Sequence, residues 1–378
     1  MAEASSRPAW AEVDLGAVRG NVDALVDLCA PAAVCAVVKA DGYGHGAVAV
    51  ARAALEAGAT WLAVAVVEEG VALRRAGITS PILVLAEPPP AAAAEAVAQQ
   101  LTPTLYTSRG VEAAQAAAAV AGDGRRVPVH VKVDTGMHRV GASPADAVAL
   151  AEAAHASPAL ELEGLWTHLA VADERGRDDY TLGQIACFEQ VRAELARRGI
   201  RPAVVHAANS AGAIAHPAAR YDLVRCGIAV YGYAPSAELA GRLPLRPALS
   251  LRCRATFVRE LDAGERLSYG LRYELSRRSV VATAPLGYAD GVPRRLSAVG
   301  GEVLVGGRRC PLAGTVTMDQ VMVDCGSEAE VAVGDEVVLL GRQGGECVSA
   351  DEWAERLGTI SYEVLCGIGP RVPRVYTG

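Results

Sequence analysis

The chain reads as an α/β protein, a (β/α)8 TIM barrel followed by an all-β domain, and three observations predict this. Eight short apolar runs, at residues 33–39, 61–66, 81–86, 101–106, 127–134, 162–168, 203–207 and 223–229, alternate with Ala-rich amphipathic stretches. Strands separated by helices must run parallel, and eight such units are the number that closes a barrel. No Gly-x-Gly-x-x-Gly follows the first run, which removes support from the other architecture, an open doubly wound sheet. After Pro244 helical periodicity nearly vanishes, and short Val-rich runs separated by Gly-bearing turns take over.

Taken in order, the apolar runs predict strands, and the stretches near 46–57, 68–76, 89–99, 109–120, 144–154, 181–198 and 210–215 predict the intervening helices. The second part predicts strands near 250–260, 279–286, 302–305, 320–324 and 335–341, with one helix near 350–357. The segment Arg242 to Pro247 serves as a linker, giving domains at 1–242 and 243–378. The first ~10 residues are candidates to pair with the β domain.

Composition narrows the function. At 39.0 kDa the chain can bury a large core. No apolar stretch approaches a membrane span, and the start, Met1 to Trp10, lacks the basic and apolar regions of a signal peptide. Nine cysteines, none in a Cys-x-x-Cys pair, read as reduced thiols of a cytoplasmic protein, with no metal site. A net charge of −7 without a basic cluster argues against nucleic acid or an anionic membrane as a partner.

Of 36 lysines and arginines, only Lys39 and Lys132 are lysines. Arginine stays protonated, whereas a lysine amine can shed its proton, attack a carbonyl or capture carbon dioxide. Both lysines sit in apolar runs, where burial disfavours the charged form. Lys39 ends the first strand, before Asp41-Gly42-Tyr43-Gly44-His45-Gly46. Strand five carries His130, Lys132 and Asp134 at period two, strand six ends at His168, strand seven at His206, and strand eight at Arg225. Catalytic groups of a barrel collect at these strand ends, and the last two loops commonly bind phosphate. A carbonyl-seeking lysine opposite a phosphate cradle is what pyridoxal 5′-phosphate requires.

The run Val38-Lys39-Ala40-Asp41-Gly42-Tyr43-Gly44-His45-Gly46 resembles the pyridoxal-lysine motif of bacterial alanine racemases. Further segments resemble the same family in the same order: Val131 to Met137, His206-Ala207-Ala208-Asn209-Ser210, Val224 to Ile228, Leu267-Ser268-Tyr269-Gly270, Gly287 to Gly291, and Thr317-Met318-Asp319-Gln320. The resemblance implies a fold-type-III pyridoxal enzyme that interconverts L- and D-alanine for peptidoglycan. Lys39 would hold the cofactor and act as one acid/base group, and Tyr269 of the partner subunit would act as the other from the opposite face. A head-to-tail homodimer with shared active sites follows. The resemblance places Arg225 beside the pyridine nitrogen, with His168 orienting it, and Arg139 at the cofactor's phenolic oxygen. It assigns Tyr43, Ser210, Gly227, Ile228 and Tyr362 to the phosphate, with Asn209 in the same cofactor-binding motif. Met318 and Asp319, from the partner, would line the substrate carboxylate side together with Arg139, with Tyr288 at the entrance. Lys132 matches a position that is carbamylated in many members.

Two departures stand out. His138 occupies a position where a small glycine is usual, and Thr315 replaces an arginine common in the access corridor. They bear on substrate stringency, so a same-fold racemase of serine or a broader range of amino acids is the neighbouring alternative. A pyridoxal-phosphate carrier would lack the second domain that bears Tyr269. A decarboxylase would be expected to pair the pyridine nitrogen with an acidic group where Arg225 stands.

Overall fold

The computed structural model describes residues 7–121 and 124–378. The expectations that rest on residues 1–6 lie outside these. The chain divides into two compact units: one comprises Ala17–Gly42 and Ala47–Arg246, the other the stretch up to Gly16, Tyr43–Gly46 and Pro247–Gly378. The division thus falls after Arg246, four residues beyond the expected 242, and the second unit also recruits two segments from the first part of the chain.

In the first unit eight parallel strands form one sheet: β1 (Ala33–Val37), β2 (Trp61–Val64), β3 (Ile82–Val84), β4 (Thr102–Leu105), β5 (Val127–Lys132), β6 (Leu160–Trp166), β7 (Val204–His206) and β8 (Leu223–Cys226). β1 pairs with both β2 and β8. Between β7 and β8 the ring closes through two backbone bonds, Asp222 N–H to Val205 O at 3.0 Å and Arg225 N–H to Ala208 O at 2.9 Å. Strands that are mostly buried on both faces read as largely apolar runs, which is why the sequence locates them.

Helices α1 (Leu15–Cys29), α2 (Ala47–Glu56), α3 (Val67–Arg75), α4 (Pro90–Ala98), α5 (Ser108–Ala121), α6 (Pro144–Ala156), α7 (Asp178–Arg197) and α8 (Ser210–Ala215) connect the strands or flank the set. In α7 the buried positions are Thr181, Gln184, Phe188, Val191 and Leu195, a spacing of three and four that lays one stripe on the core. Burying a side chain such as Phe188 contributes about 2–3 kcal/mol. Ser143 starts α6 by accepting the Asp146 N–H at 3.2 Å, with Pro144 in the first turn. Helix α1 was not among the sequence expectations; Gly16 and Gly20 interrupt its pattern, yet Ala17, Val18, Asn21, Val22, Leu25 and Cys29 form a buried face.

The second unit is mostly β. Its main sheet has the order β15–β14–β17–β9–N-terminal strand–β19, in which β9 is Leu249–Arg254, β14 Glu302–Val305, β15 Arg308–Pro311, β17 Glu336–Gln343 and β19 Arg374–Thr377. The N-terminal strand, Ala9–Asp14, lies antiparallel to β9 (Trp10 opposite Arg252) and parallel to β19 (Glu12 opposite Val375). A three-stranded sheet joins β10 (Phe257–Leu261), β13 (Ser279–Ala284) and β16 (Val321–Asp324). The ribbon of β11 (Arg266–Leu267) and β12 (Tyr273–Glu274) and the strand β18 (Glu346–Val348) beside β17 complete the set. Leu267, Leu275, Val281 and Ala313 pack as one apolar cluster. Among its described residues the unit holds two α-helices rather than one: α9 (Ala350–Leu357), capped by Ser349, and α10 (Ser361–Cys366). With six residues, α10 is too short for its periodicity to register.

Candidate active site

Each unit carries its own share of the predicted residues. In the barrel unit Lys39 is half-buried just beyond β1. The backbone then makes a left-handed turn, with φ of 52°, 51°, 60° and 52° at Ala40, Asp41, Gly42 and Tyr43. Only one of the four is glycine, so the turn is strained and must be held from outside. Glu69 holds its first residue: Oε1 accepts the Ala40 N–H at 2.6 Å, and Oε2 accepts the Ala65 and Val66 N–H groups at 2.7 and 3.3 Å. Asp41 accepts the Ala47 N–H at 2.9 Å, and Tyr231 donates its hydroxyl to Val37 O, also at 2.9 Å. Glu69 was not expected from the sequence.

Lys132 is buried, with its Nζ 4.4 Å from the Trp166 ring centre. Burial first, and the nearby cations Arg225 and Arg139 second, pull its amine down to about 7 against the opposing pull of Asp134. Lys39 acts on it in the same sense as the arginines. His168 is held well below the usual imidazole range by burial and then by Arg225, Lys132, Arg139 and Lys39. The structure therefore brings Lys39, Lys132, Arg139, His168 and Arg225 into one electrostatic neighbourhood at the ends of the strands.

Arg225 is 3% exposed, and burial lowers its guanidinium to about 10, so it stays charged at neutral pH. One Nη2 hydrogen bond goes to Thr167 O at 2.8 Å and another to Ala207 O at 2.9 Å. Nη1 donates to His206 Nδ1 at 2.7 Å, whereas His168 Nδ1 stands 3.4 Å from Nη2. His206 is thus the closer orienting partner, and His168 a weaker one than expected. His206 also stacks on Trp166, with ring centres 5.5 Å apart and planes 8° from parallel.

At the last two strands, Ser210 Oγ accepts the Gly227 N–H at 2.9 Å and the Ala229 N–H at 3.5 Å, which gathers Ser210, Gly227 and Ile228 into one turn. Because Oγ accepts from these groups, its own proton is directed elsewhere. Asn209 caps α8, accepting the Gly212 N–H at 2.9 Å and donating to Leu169 O at 3.3 Å. Its side chain shapes the turn.

His138, the departure noted above, has φ of 55°, a left-handed conformation that explains why glycine suits this position. Asp134 secures it, accepting the His138 N–H at 3.0 Å and lying 3.1 Å from its Nδ1. Burial pushes the Asp134 carboxyl up, but the hydrogen bonds from His138 and Gly136 outweigh it and hold the group below its usual value. Arg139 follows, exposed.

In the β unit Tyr269 is 74% exposed, on a loop where Ser268, Gly270 and Leu271 all have positive φ. Thr315 ties this loop down: its Oγ1 donates to Tyr269 O at 2.8 Å, and its carbonyl accepts from Ser268 Oγ at 2.6 Å. Neighbouring Gly314, at φ 87°, packs where a Cβ would fall 2.7 Å from Leu267 O. Tyr288 and Met318 share a second pairing, with the Tyr288 N–H bonded to Thr317 O at 2.9 Å and the Ala289 N–H to Met318 O at 3.0 Å. Asp319 is bound by Arg371 at 2.7 Å. Tyr43 and Tyr362 stand with ring centres 6.1 Å apart, and burial raises the Tyr43 hydroxyl well above its usual value.

The chain matches the models described as alanine racemase, N-terminal domain, over residues 13–235 and alanine racemase, C-terminal domain, over residues 248–376. It is 51% identical over 376 residues to the alanine racemase of Symbiobacterium thermophilum, with 98% of each chain covered. Among solved structures it is similar to alanine racemase from Bacillus anthracis with bound L-Ala-P, at a TM-score of 0.92 and 40% identity over 100% of this chain and 96% of that one. It is similar, too, to alanine racemase from D-cycloserine-producing Streptomyces lavendulae, at a TM-score of 0.92 and 41% identity over 99% and 98%.

Proposed function

This chain belongs to the alanine racemase family, enzymes that interconvert L- and D-alanine, and from that premise we propose how its residues divide the reaction. The observation that carries the proposal is the convergence of Lys39 with Arg225, Arg139 and His168 at the strand ends. The donor set of the barrel unit fits pyridoxal 5′-phosphate: a half-buried lysine, a hydroxyl beside backbone N–H groups, and a buried guanidinium. When bound, that cofactor supplies the electron sink that makes the substrate α-proton acidic.

Lys39 holds the cofactor through its amine and moves a proton at the substrate α-carbon on one face. Tyr269 of the partner subunit moves one on the other, because inversion needs one group to take the proton and a second to return it from behind. Ser210, Gly227, Ile228, Tyr43 and Tyr362 hold the phosphate, with Asn209 fixing the turn that carries Ser210. Arg225 would stand beside the ring nitrogen of the bound cofactor, where a guanidinium is a poor proton donor and would temper the sink. Arg139 receives the substrate carboxylate, Met318 and Asp319 of the partner subunit line that side of the site, and Tyr288 stands at the entrance. An amine that titrates near 7 has a substantial uncharged fraction at neutral pH, the form that captures carbon dioxide, which supports carbamylation of Lys132. A carbamate there would give Arg139 an anion to bind.

The working enzyme in this proposal is a head-to-tail homodimer acting in the cytoplasm and supplying D-alanine for peptidoglycan. No helix of the described residues is long and apolar enough to cross a membrane.

The test is proton NMR of the pyridoxal-loaded protein with L-alanine in D2O, followed by chiral analysis. Loss of the α-proton signal with D-alanine rising to near equality is expected. No exchange with alanine but exchange with serine would overturn the substrate assignment. Tyr269→Phe should keep the cofactor absorption and slow exchange unequally for the two enantiomers; equal residual exchange would overturn the two-base division. Carbon-13 NMR after labelling with bicarbonate should give a carbamate signal that Lys132→Ala abolishes.

A further inference from the structure

Arg225 is buried, yet its hydrogen-bond partners among the described residues are two imidazoles and two carbonyls, none of them anionic. A buried guanidinium whose direct hydrogen-bond partners are all neutral is costly, and a hydrogen-bonded path to a carboxylate offsets part of that cost. The structure provides a path. Arg225 Nη1 meets His206 Nδ1 at 2.7 Å, His206 Nε2 meets His130 Nδ1 at 2.9 Å, and His130 Nε2 meets Glu163 Oε2 at 3.2 Å.

The ends of this chain dictate its middle. A guanidinium can only donate, and a carboxylate can only accept. His206 must accept at Nδ1 and so carries its proton on Nε2, from which it donates to His130 Nδ1. His130 in turn carries its proton on Nε2 and donates to Glu163. Both rings are then neutral, and every bond points the same way, from cation to anion, so each polarises the next. Both histidines are fully buried, and burial drives both below the usual imidazole range.

The fold makes room for this arrangement in two ways. Between β5 and β6 the register shifts, so that Val129 faces Leu162 but His130 faces Gly164, leaving Glu163 as the extra residue of a bulge. Bulges re-aim side chains. At Gly164 a Cβ would fall 2.4 Å from His130 Nδ1, so a larger residue would displace the ring.

We propose that Glu163 and His130 are positioning residues for Arg225, setting the direction and charge of its guanidinium through His206 across the barrel interior. The proposal rests on the reading of Arg225 as the group beside the cofactor ring, and it deepens that reading by adding two residues that touch neither cofactor nor substrate.

Neutron crystallography of the full-length, pyridoxal-loaded enzyme tests it directly. Deuterons are expected on Nε2 and absent from Nδ1 of both His130 and His206, and a deuteron on His206 Nδ1 would overturn the proposal. Glu163→Leu should scramble the His130 tautomer and lower kcat about tenfold with KM little changed, as outer-sphere partners typically do. Glu163→Gln, which keeps an acceptor but not the charge, should recover the tautomer and part of kcat. Unchanged kcat and tautomers in Glu163→Leu would overturn the proposal, and should that variant not fold, the wild-type and Glu163→Gln deuteron positions decide. If the deuterons are as expected but alanine is not racemised, the relay stands and the functional reading falls.

Discussion

Glu69 accepts the backbone N–H of Ala40 through one carboxylate oxygen, at 2.6 Å, while its other oxygen accepts from Ala65 at 2.7 Å. One side chain thus staples the strained turn after Lys39 to the loop that follows β2. Glu69→Ala leaves these N–H groups without their acceptor and should lower stability by about 1–3 kcal/mol. Activity should fall as well, because Lys39 loses its fixed approach. Denaturant unfolding and racemisation assays check both, and a variant as stable and as active as the parent would show that the turn holds itself.

Lys132 predicts a pH dependence. Its amine titrates near 7 in the folded chain, against 10.5 for an ordinary lysine. Between these values the unfolded chain keeps a proton that the folded chain has shed, so stability rises with pH across the window. Below about 7 both states are protonated and the contribution levels off. Lys132→Met should be more stable than the parent at neutral pH and should lack this part of the rise. Unfolding free energies at pH about 7 and about 9, in carbon-dioxide-free buffer, separate the two proteins. Equal gains in both would refute the lowered amine.

His138 carries a left-handed backbone and an imidazole bond to Asp134, two effects of opposite sign. His138→Gly removes both, and stability should stay within about 1 kcal/mol of the parent. His138→Ala keeps the strain and loses the bond, and should be the less stable variant. Thermal melts of the pair give the order, and the reverse order would mean that the conformation is not strained.

Thr315→Val keeps the shape of the side chain but removes the hydroxyl that holds Tyr269 O. Loss of one such bond costs about 1 kcal/mol, and a looser Tyr269 loop should lower kcat several-fold without altering cofactor absorption. Steady-state rates in both directions measure it. No change in either would mean that the Ser268 bond to the Thr315 carbonyl and the packing of Gly314 suffice to hold the loop.

Much of this molecule is legible in its sequence, for definite physical reasons. The barrel strands announce themselves because burial on both faces makes most of them largely apolar runs, and Lys39 and Lys132 are conspicuous because the chain otherwise uses arginine. Ser210 and Gly227 sit at strand ends, where a barrel gathers its chemistry. What escaped was set by distance along the chain. Glu69 looks like an ordinary acidic residue in the first turn of a helix, and nothing nearby says that it reaches Ala40. His130 and His206 are noticeable as histidines on strands, but their contact depends on the closure of the ring and on a bulge at Glu163. The left-handed φ of His138 is a local property that a histidine hides and a glycine would have revealed.

The N-terminal strand bears on how the protein could be cut. Ala9–Asp14 fills the gap between β9 and β19, whose residues come from the far end of the chain. A fragment starting at Pro247 would therefore carry a slot flanked by two open strand edges, and a synthetic peptide spanning residues 7–16 has the pattern to enter it by strand addition. The same slot makes the isolated fragment prone to edge-to-edge association until it is filled. The main sheet of the β unit is thus a natural split-protein pair, one of its inner strands supplied from before the barrel in sequence.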